Sequence, residues 1–197
     1  MKICVYGAAS KDIAADIVSK TEDLGFKMAK RGHALVFGGG GNGMMGAVAK
    51  GAEKGGGEII GVAPRFFNAD GVFFSGCTEF HSTDTMRERK QLMEDMSDAF
   101  IVTPGGIGTF DEFFEILTLR SLGRHTKAIA VYNINGYYNA LEQLLDTAVE
   151  GGFMKPQVKG LIGFFENADE LLDYIENHKG ETVTAFDMKN IGQQEPN

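Results

Sequence analysis

The amino-acid sequence predicts a doubly wound α/β fold, in which a parallel β-sheet carries helices on both faces. Short apolar segments alternate along the chain with longer segments of helical periodicity, a pattern typical of βαβ units. Glycine clusters follow two of the predicted strands, at 38–41 and 105–108. The chain has 197 residues, of which 43% are hydrophobic, and this suits one domain with a full-sized core.

The strands are predicted where short apolar segments end at glycine, proline or polar residues. Lys2–Tyr6 ends at Gly7, and Ala34–Phe37 leads into four consecutive glycines. The third predicted strand, 58–62, ends shortly before Pro64. Three later strands are predicted at Ala99–Val102, Ala128–Tyr132 and 161–165.

The helices are predicted where apolar residues recur at helical spacing, as Ile13, Ile17, Leu24 and Met28 do in the first of them. Several of these segments stop at glycines, which end helices readily. The predicted helices are 12–30, 44–54, 85–95, 109–122, 137–149 and Ala168–Asn177.

The segment 65–80 shows no clear periodicity and is predicted as a loop. Its phenylalanines at 66, 67, 73 and 74 suggest a lid or a packed flap. No linker, repeat or change of composition divides the chain, so we expect one domain over residues 1–180. Residues 181–197 are polar and are predicted to form a loosely held C-terminal tail.

Charge and composition exclude several classes of function. The net charge is −8, which disfavours binding of a nucleic-acid polymer and leaves local dipoles and a few cations to attract any phosphate. No run of 18 apolar residues is present, so we expect no membrane span. The two cysteines, Cys4 and Cys77, form neither a metal-ligand cluster nor a disulfide framework, and we expect a cytoplasmic protein.

The strongest motif lies between a predicted strand and a predicted helix. Three glycines let the backbone approach a bulky anion, the helix N-terminus offers unpaired N–H groups, and a threonine adds a hydroxyl donor. The motif therefore predicts a phosphate-binding loop. The alternative is a helix-capping box formed by Thr109 and Glu112. The sequence of the motif is Pro104-Gly105-Gly106-Ile107-Gly108-Thr109-Phe110-Asp111-Glu112.

A second glycine-rich motif, 38–46, also joins a strand to a helix. It could bring the backbone close to a base or a ribose. It could equally serve close packing of the helix on the sheet, with Gly46 at the contact. The residue pattern leaves both interpretations open.

A third motif is the basic helix 85–93, on which Met86, Lys90 and Met93 share one face and Arg89 lies on a neighbouring flank. Arg89 and Lys90 could hold a nucleotide phosphate or stabilise a developing charge. The alternative is a solvated charged face with the two methionines in the core. Outside these motifs, Ser10 either caps the first helix or touches ligand, and the four histidines are interpreted as structural because they lack metal-ligand spacing.

Together these motifs resemble the LOG ("lonely guy") family of cytokinin riboside 5′-monophosphate phosphoribohydrolases. The family's PGGxGTxxE motif matches 104–112, its GGGxxGxMG pattern matches 38–46, and its MxxRK helix matches 86–90. The later run Asn135-Gly136-Tyr137-Tyr138 is also similar to the family. The similarity extends over about residues 1–173, and the family often carries the misleading label "lysine decarboxylase".

The resemblance implies a Rossmann-like fold, a homodimer, and hydrolysis of a nucleoside 5′-monophosphate, AMP or an N6-modified AMP, to free base and ribose 5-phosphate. It implies no metal and no cofactor. Glu112 would be the catalytic carboxylate and Arg89 its partner. The resemblance assigns the 5′-phosphate to Gly105, Gly106, Gly108 and Thr109. We also expect the ribose and base to be lined by Gly40, Gly43, Met86 and Lys90.

The chain also departs from the family pattern. Leu119 and Ser121 stand where relatives often carry Trp and Gln, Asp111 stands where Glu is common, and Ala128 where Pro is common. These positions bear on base preference. They also keep open an alternative function, a non-catalytic nucleotide-binding sensor or carrier on the same fold.

Overall fold

The computed structural model describes residues 1–67 and 72–180, and its centre is a seven-stranded sheet in which each strand runs parallel to its neighbours. The strands are β1 (Lys2–Tyr6), β2 (Ala34–Phe37), β3 (Ile59–Pro64), β4 (Glu79–Thr83), β5 (Ala99–Val102), β6 (Ala128–Tyr132) and β7 (Ile162–Phe165). Their spatial order is β4-β3-β2-β1-β5-β6-β7. The chain thus winds outward from β1 to one edge, returns to β5, and winds to the other edge.

The helices cover both faces of this sheet, because successive strand residues point to opposite sides. Ile3 and Val5 of β1 belong to one core cluster, and Cys4 and Tyr6 belong to the other. The helices are α1 (Ala15–Lys30), α2 (Gly43–Gly55), α3 (Met86–Met96), α4 (Ile107–Ser121), α5 (Asn139–Glu150), α6 (Pro156–Lys159) and α7 (Ala168–Asn177). Helices α1, α2 and α7 pack on the first cluster, and α3 to α6 pack on the second. The predicted doubly wound, Rossmann-like fold is confirmed.

The main difference from the sequence-based prediction is β4, which falls partly within the segment predicted as a loop. β4 lies at the edge of the sheet, and four of its five residues are exposed or only half-buried. An edge strand of this kind lacks the continuous apolar run that marks the buried strands. The short helix α6 was also not predicted, and the part of the loop at Arg65–Phe67 is a 3₁₀ turn.

Glycines allow α1 and α2 to pack with their backbones in contact. A Cβ atom added at Gly51 would lie 1.9 Å from the carbonyl oxygen of Glu22, and one at Gly25 would lie 2.1 Å from that of Val48. At the start of α2, a Cβ at Gly46 would lie 2.2 Å from the carbonyl oxygen of Gly41. Gly46 therefore lets α2 begin in close contact with the glycine turn, whereas the sequence left open a contact with the sheet.

Two of the predicted segments fall outside the described residues: the centre of the 65–80 loop, at 68–71, and the expected tail, 181–197. Within the described ranges, none of the helices combines the length and apolar character needed to cross a membrane.

Candidate active site

A cavity of about 530 Å³ opens at the carboxyl ends of the central strands β1, β2 and β5. The chain reverses its winding direction between β1 and β5, and open α/β sheets bind ligands at such switch points. Its walls are formed by the loop after β1, the glycine turn after β2, the segments flanking 68–71, and the N-terminal parts of α2, α3 and α4. The lining residues are Gly7, Ala8, Ala9, Ser10, Gly38, Gly40, Gly41, Asn42, Met45, Phe67, Val72, Phe73, Met86, Arg89, Gly106, Gly108, Thr109 and Glu112.

The turn between β5 and α4 presents unpaired N–H groups to this cavity. Gly106 is the N-cap of α4, and the first backbone hydrogen bond of the helix runs from the Phe110 N–H to the Gly106 carbonyl. Within the described residues, the N–H groups from Gly106 to Thr109 donate to no other protein group. They lie at the positive end of a 15-residue helix, and this is the arrangement that binds an anion without a basic side chain.

The capping-box alternative for Thr109 and Glu112 is wrong. Because α4 begins at Ile107, Thr109 is its third residue and Glu112 its sixth, and neither occupies the capping position. The capping box lies instead at α3, where the Thr85 hydroxyl accepts from the Glu88 N–H at 3.1 Å and the Glu88 carboxylate accepts from the Thr85 N–H at 3.2 Å. Thr109 and Glu112 are therefore available to the cavity.

An ion pair between Arg89 and Glu112 forms the floor of the cavity. The Arg89 Nη1 lies 2.7 Å from Glu112 Oε1, and the two side chains are only 9% and 11% exposed. The Arg89 Nε–H also donates to the carbonyl oxygen of Val62 at 3.1 Å. This burial shows that the solvated-face alternative for Arg89 is wrong. The remaining nitrogen, Nη2, makes no hydrogen bond within the described residues.

Burial dominates the electrostatics of this pair. Burial raises the pKa of Glu112 above the ordinary value of 4.5, although the Arg89 guanidinium acts to lower it. Two neighbouring side chains of β1 are buried and neutral, since burial raises the pKa of Cys4 to about 12 and that of Tyr6 well above its usual range. Glu112 is thus a carboxylate with a raised proton affinity, a property typical of general bases.

Seven of the ten predicted site residues line the cavity together. They are Arg89, Glu112, Gly106, Gly108, Thr109, Met86 and Gly40. The other three lie behind the walls. Gly105 packs under Thr109, and its added Cβ would lie 2.1 Å from the Thr109 Oγ1. Gly43 starts α2 with φ +59 against the loop after β1, and Lys90 pairs with Asp111 at 2.9 Å and with Glu115 at 2.8 Å.

The aromatic flap is the part of the site that motif matching missed. Two backbone hydrogen bonds hold it on the glycine turn: Phe74 N–H to the Gly39 carbonyl at 2.8 Å and Gly41 N–H to the Val72 carbonyl at 2.9 Å. They place Phe73 over the cavity, and its ring packs on Phe80 with centroids 4.9 Å apart. The phenylalanines of the 65–80 segment were the sequence signal for this wall.

Comparison with known proteins identifies the family of the chain. Residues 45–175 match the model of a family described as "Possible lysine decarboxylase". The chain is 36% identical over 177 residues to probable cytokinin riboside 5′-monophosphate phosphoribohydrolase LOGL3 of Oryza sativa subsp. japonica, covering 90% of this chain and 84% of that protein. It is 34% identical over 196 residues to cytokinin riboside 5′-monophosphate phosphoribohydrolase LOG3 of Arabidopsis thaliana, covering 97% and 91%.

The chain belongs to the LOG family. Solved structures with the same fold include the molybdenum cofactor carrier protein of Chlamydomonas reinhardtii, with a TM-score of 0.71 at 20% identity, covering 91% of this chain and 98% of that one. The molybdenum cofactor binding protein of Rippkaea orientalis gives a TM-score of 0.65 at 16% identity, covering 89% and 93%. At these identities the likeness concerns the fold alone.

The departures of this LOG-family chain from the family pattern lie away from the cavity lining. Leu119 and Ser121 are half-buried at the far end of α4, and the Ser121 hydroxyl donates to the Thr118 carbonyl at 2.8 Å. Asp111 faces Lys90 on the exposed side of the helix. Among the described residues, no three His, Cys, Asp or Glu side chains come together so as to hold a metal ion.

Proposed function

We propose that this chain hydrolyses the N-glycosidic bond of a nucleoside 5′-monophosphate, AMP or an N6-modified AMP, and releases the free base and ribose 5-phosphate. The observation that carries the proposal is the buried Arg89–Glu112 pair on the floor of a cavity whose wall is an anion-binding helix N-terminus. The names of the LOG relatives describe the same class of reaction.

The 5′-phosphate is assigned to the turn at the start of α4. Its four N–H groups and the Thr109 hydroxyl are donors, and Thr109 is only 4% exposed. A site built from backbone dipoles suits a chain with a net charge of −8, since it requires no excess of basic side chains. Binding energy from this non-reacting group would hold the sugar over Glu112.

The chemical step is assigned to Glu112. Cleavage of the C1′–N bond builds positive charge on the sugar, and a carboxylate beside it stabilises that charge. Glu112 also takes a proton from the attacking water, whose oxygen bonds to C1′ while the electrons of the C1′–N bond leave with the base. Glu112 then gives up this proton, which protonates the base and restores the carboxylate. Arg89 holds the carboxylate in place through Nη1 and offers Nη2 to the substrate.

The base is assigned to the apolar end of the cavity, opposite the phosphate loop. The apolar side chains in the cavity lining that would form this end are Met45, Phe67, Val72, Phe73 and Met86. Aromatic and thioether side chains pack well against the faces of a purine. The roles predicted for Gly40, Gly43, Gly105 and Lys90 in binding remain proposals of the same kind.

Three wider proposals accompany this function. Residues 1–180 act as one nucleotide-binding domain, supported by a single sheet that runs through the described part of the chain. The chain forms a homodimer, supported by the apolar side chains that α4 leaves on the surface, Ile107 at 83% and Phe114 at 39% exposed. It works in the cytoplasm, supported by its free thiols Cys4 and Cys77.

The test is Glu112→Gln, with release of adenine from AMP and affinity for AMP as readouts. We expect turnover to fall on the order of 100-fold or more with AMP binding retained, as when a positioned acid–base group is lost. Glu115→Gln is the matched control, because Glu115 lies on the same helix but pairs with Lys90 outside the cavity lining. Its turnover should stay within about twofold of the wild type, since surface pairs contribute little.

Three results would contradict the proposal or one of its assignments. Near-normal turnover of Glu112→Gln would show that the carboxylate does not act on the sugar or the water. A wild-type protein that binds AMP but releases no adenine would favour the non-catalytic sensor or carrier. Equal turnover of AMP and adenosine would contradict the assignment of the phosphate loop.

A further inference from the structure

Two consecutive tyrosines reach from the turn after β6 to the phosphate loop. The Tyr138 hydroxyl donates to the carbonyl oxygen of Thr103 at 2.8 Å, and the Tyr137 hydroxyl donates to that of Gly105 at 2.6 Å. Their rings pack edge to face, with centroids 4.9 Å apart and an interplanar angle of 88°. Neither ring lines the cavity, so neither hydroxyl is placed to touch a substrate.

Between these two contacts, the loop receives a third donor. The Ala8 N–H, in the loop after β1, donates to the carbonyl oxygen of Pro104 at 3.1 Å. Three consecutive carbonyl oxygens, those of residues 103, 104 and 105, therefore each accept a hydrogen bond from a different group. The carbonyls of this loop are all engaged.

The direction of the carbonyls fixes the direction of the N–H groups that bind the anion. In a planar trans peptide, the carbonyl of one residue points opposite to the N–H of the next. When the Gly105 carbonyl points to Tyr137, the Gly106 N–H points the other way. Gly106 lines the cavity and Tyr137 does not, which supports a Gly106 N–H that points to the cavity. The Tyr137 hydroxyl thus sets the first donor of the phosphate loop.

The tyrosines are themselves fixed by a turn built from asparagines. The Tyr138 N–H donates to Asn133 Oδ1 at 2.7 Å, and Asn133 Nδ2 donates to Asn139 Oδ1 at 2.7 Å. Asn135 takes a left-handed backbone, φ 54, and its side chain bonds to Asp16 and Lys20 of α1, both at 2.7 Å. The hydroxyls are therefore held in place before any ligand arrives.

We propose that Tyr137 and Tyr138 are positioning residues, which hold the phosphate loop in the conformation that binds the 5′-phosphate. This inference rests on the proposed function, since it requires a phosphate at the start of α4. It goes beyond that function in assigning a role to the 135–138 segment, which is separate from the three glycine-rich and basic motifs.

The experiment compares AMP and adenosine binding by calorimetry in the Glu112→Gln protein, in which we expect turnover to be slower on the order of 100-fold or more. Tyr137→Phe removes one hydroxyl and keeps the ring contact with Tyr138. We expect about tenfold weaker AMP binding, the equivalent of one lost hydrogen bond, and unchanged adenosine binding. Tyr132→Phe is the control, since this buried tyrosine of β6 belongs to the core on the opposite face, and it should leave both affinities unchanged.

The difference between the two ligands separates positioning from general damage. Equal weakening for AMP and adenosine, or no weakening, would overturn the proposal for Tyr137. Tyr138→Phe provides a second variant, and a folded protein with unchanged AMP binding would overturn the role of Tyr138. Inorganic phosphate is the second probe. If neither AMP nor phosphate binds the Glu112→Gln protein, the positioning role of both tyrosines is overturned. A wild type that binds AMP without releasing adenine would refute the proposed function alone.

Discussion

Gly38→Ala tests whether the guanidinium of Arg89 has to lie where the structure places it. Gly38 follows β2 directly, and a Cβ atom added there would lie 2.3 Å from Arg89 Nη2 and 2.9 Å from Met45 Sδ. Unbonded carbon and nitrogen atoms settle at about 3.5 Å, so one of the groups has to move by about 1 Å. Met45 can rotate away, whereas Arg89 is held by Val62 and Glu112.

The expected loss of activity follows from that displacement. Misplacing a catalytic group by about 1 Å costs on the order of 100-fold in rate, which corresponds to about 2.7 kcal/mol of activation free energy. We therefore expect Gly38→Ala to lower kcat/KM for adenine release from AMP by about 100-fold, while thermal unfolding shows that the protein remains folded. The substitution removes no side chain, so the loss of activity would come from the neighbouring group that the added methyl displaces.

A double-mutant cycle identifies that neighbour. In an Arg89→Ala background, Gly38→Ala should change kcat/KM by less than about threefold, because the displaced group is already absent. Gly160→Ala is the control, since the nearest atom to its added Cβ would be the carbonyl oxygen of Gln157 at 3.4 Å. Near-wild-type activity of Gly38→Ala, or an equal loss in both backgrounds, would refute the reasoning.

Three further predictions concern pH and assembly. Because burial raises the pKa of Glu112, kcat/KM should fall as the pH is lowered, with an apparent pKa above 4.5. The measurement is kcat/KM from pH 4 to 8, and values that stay level down to pH 4.5 would contradict this prediction. The His125 ring is neutral in the fold, because burial lowers its pKa from 6.5 to about 4. Its Nε2–H donates to the Ile116 carbonyl, and its Nδ1 accepts from the Lys127 N–H. The unfolded state takes up a proton first as pH falls, so the free energy of unfolding should decrease between pH 6.5 and 4, by about 3 kcal/mol for this group. Urea titrations should show a weaker pH dependence for His125→Gln, and an unchanged one would be evidence against this account. Light scattering should give the mass of a dimer, and a monomer across micromolar concentrations would contradict that proposal.

The central strands could be predicted from the sequence to the residue. β1, β2, β5 and β6 have the predicted bounds, because a parallel strand buried on both faces is a continuous apolar run that ends at a glycine or polar turn. β4 could not be predicted in this way. Polar residues such as Glu79 and His81 interrupt this edge strand, so it has no continuous apolar run. Only its pairing with β3 identifies it as a strand.

Site residues could be predicted from the sequence where they lie together in one turn. They were harder to predict where their environment depends on residues far away in the sequence. The proposed phosphate loop lies within residues 104–109, so its glycines were enough to predict it from the sequence. Periodicity placed Arg89 only on a flank of its helix. Its burial depends on Val62 and Glu112, which lie 27 and 23 positions away in the sequence, and no local pattern records them. Lys90 looked equivalent to Arg89, yet it meets Asp111 and Glu115 outside the cavity lining.

The electrostatics of the Arg89–Glu112 pair fit a functional site. Here desolvation exceeds attraction, and the pKa of Glu112 is raised. The ionised carboxylate is therefore less stable in the fold, relative to its protonated form, than in water. A carboxylate held in this state can gain most from a positive charge that develops beside it, which is the situation that cleavage of a glycosidic bond creates.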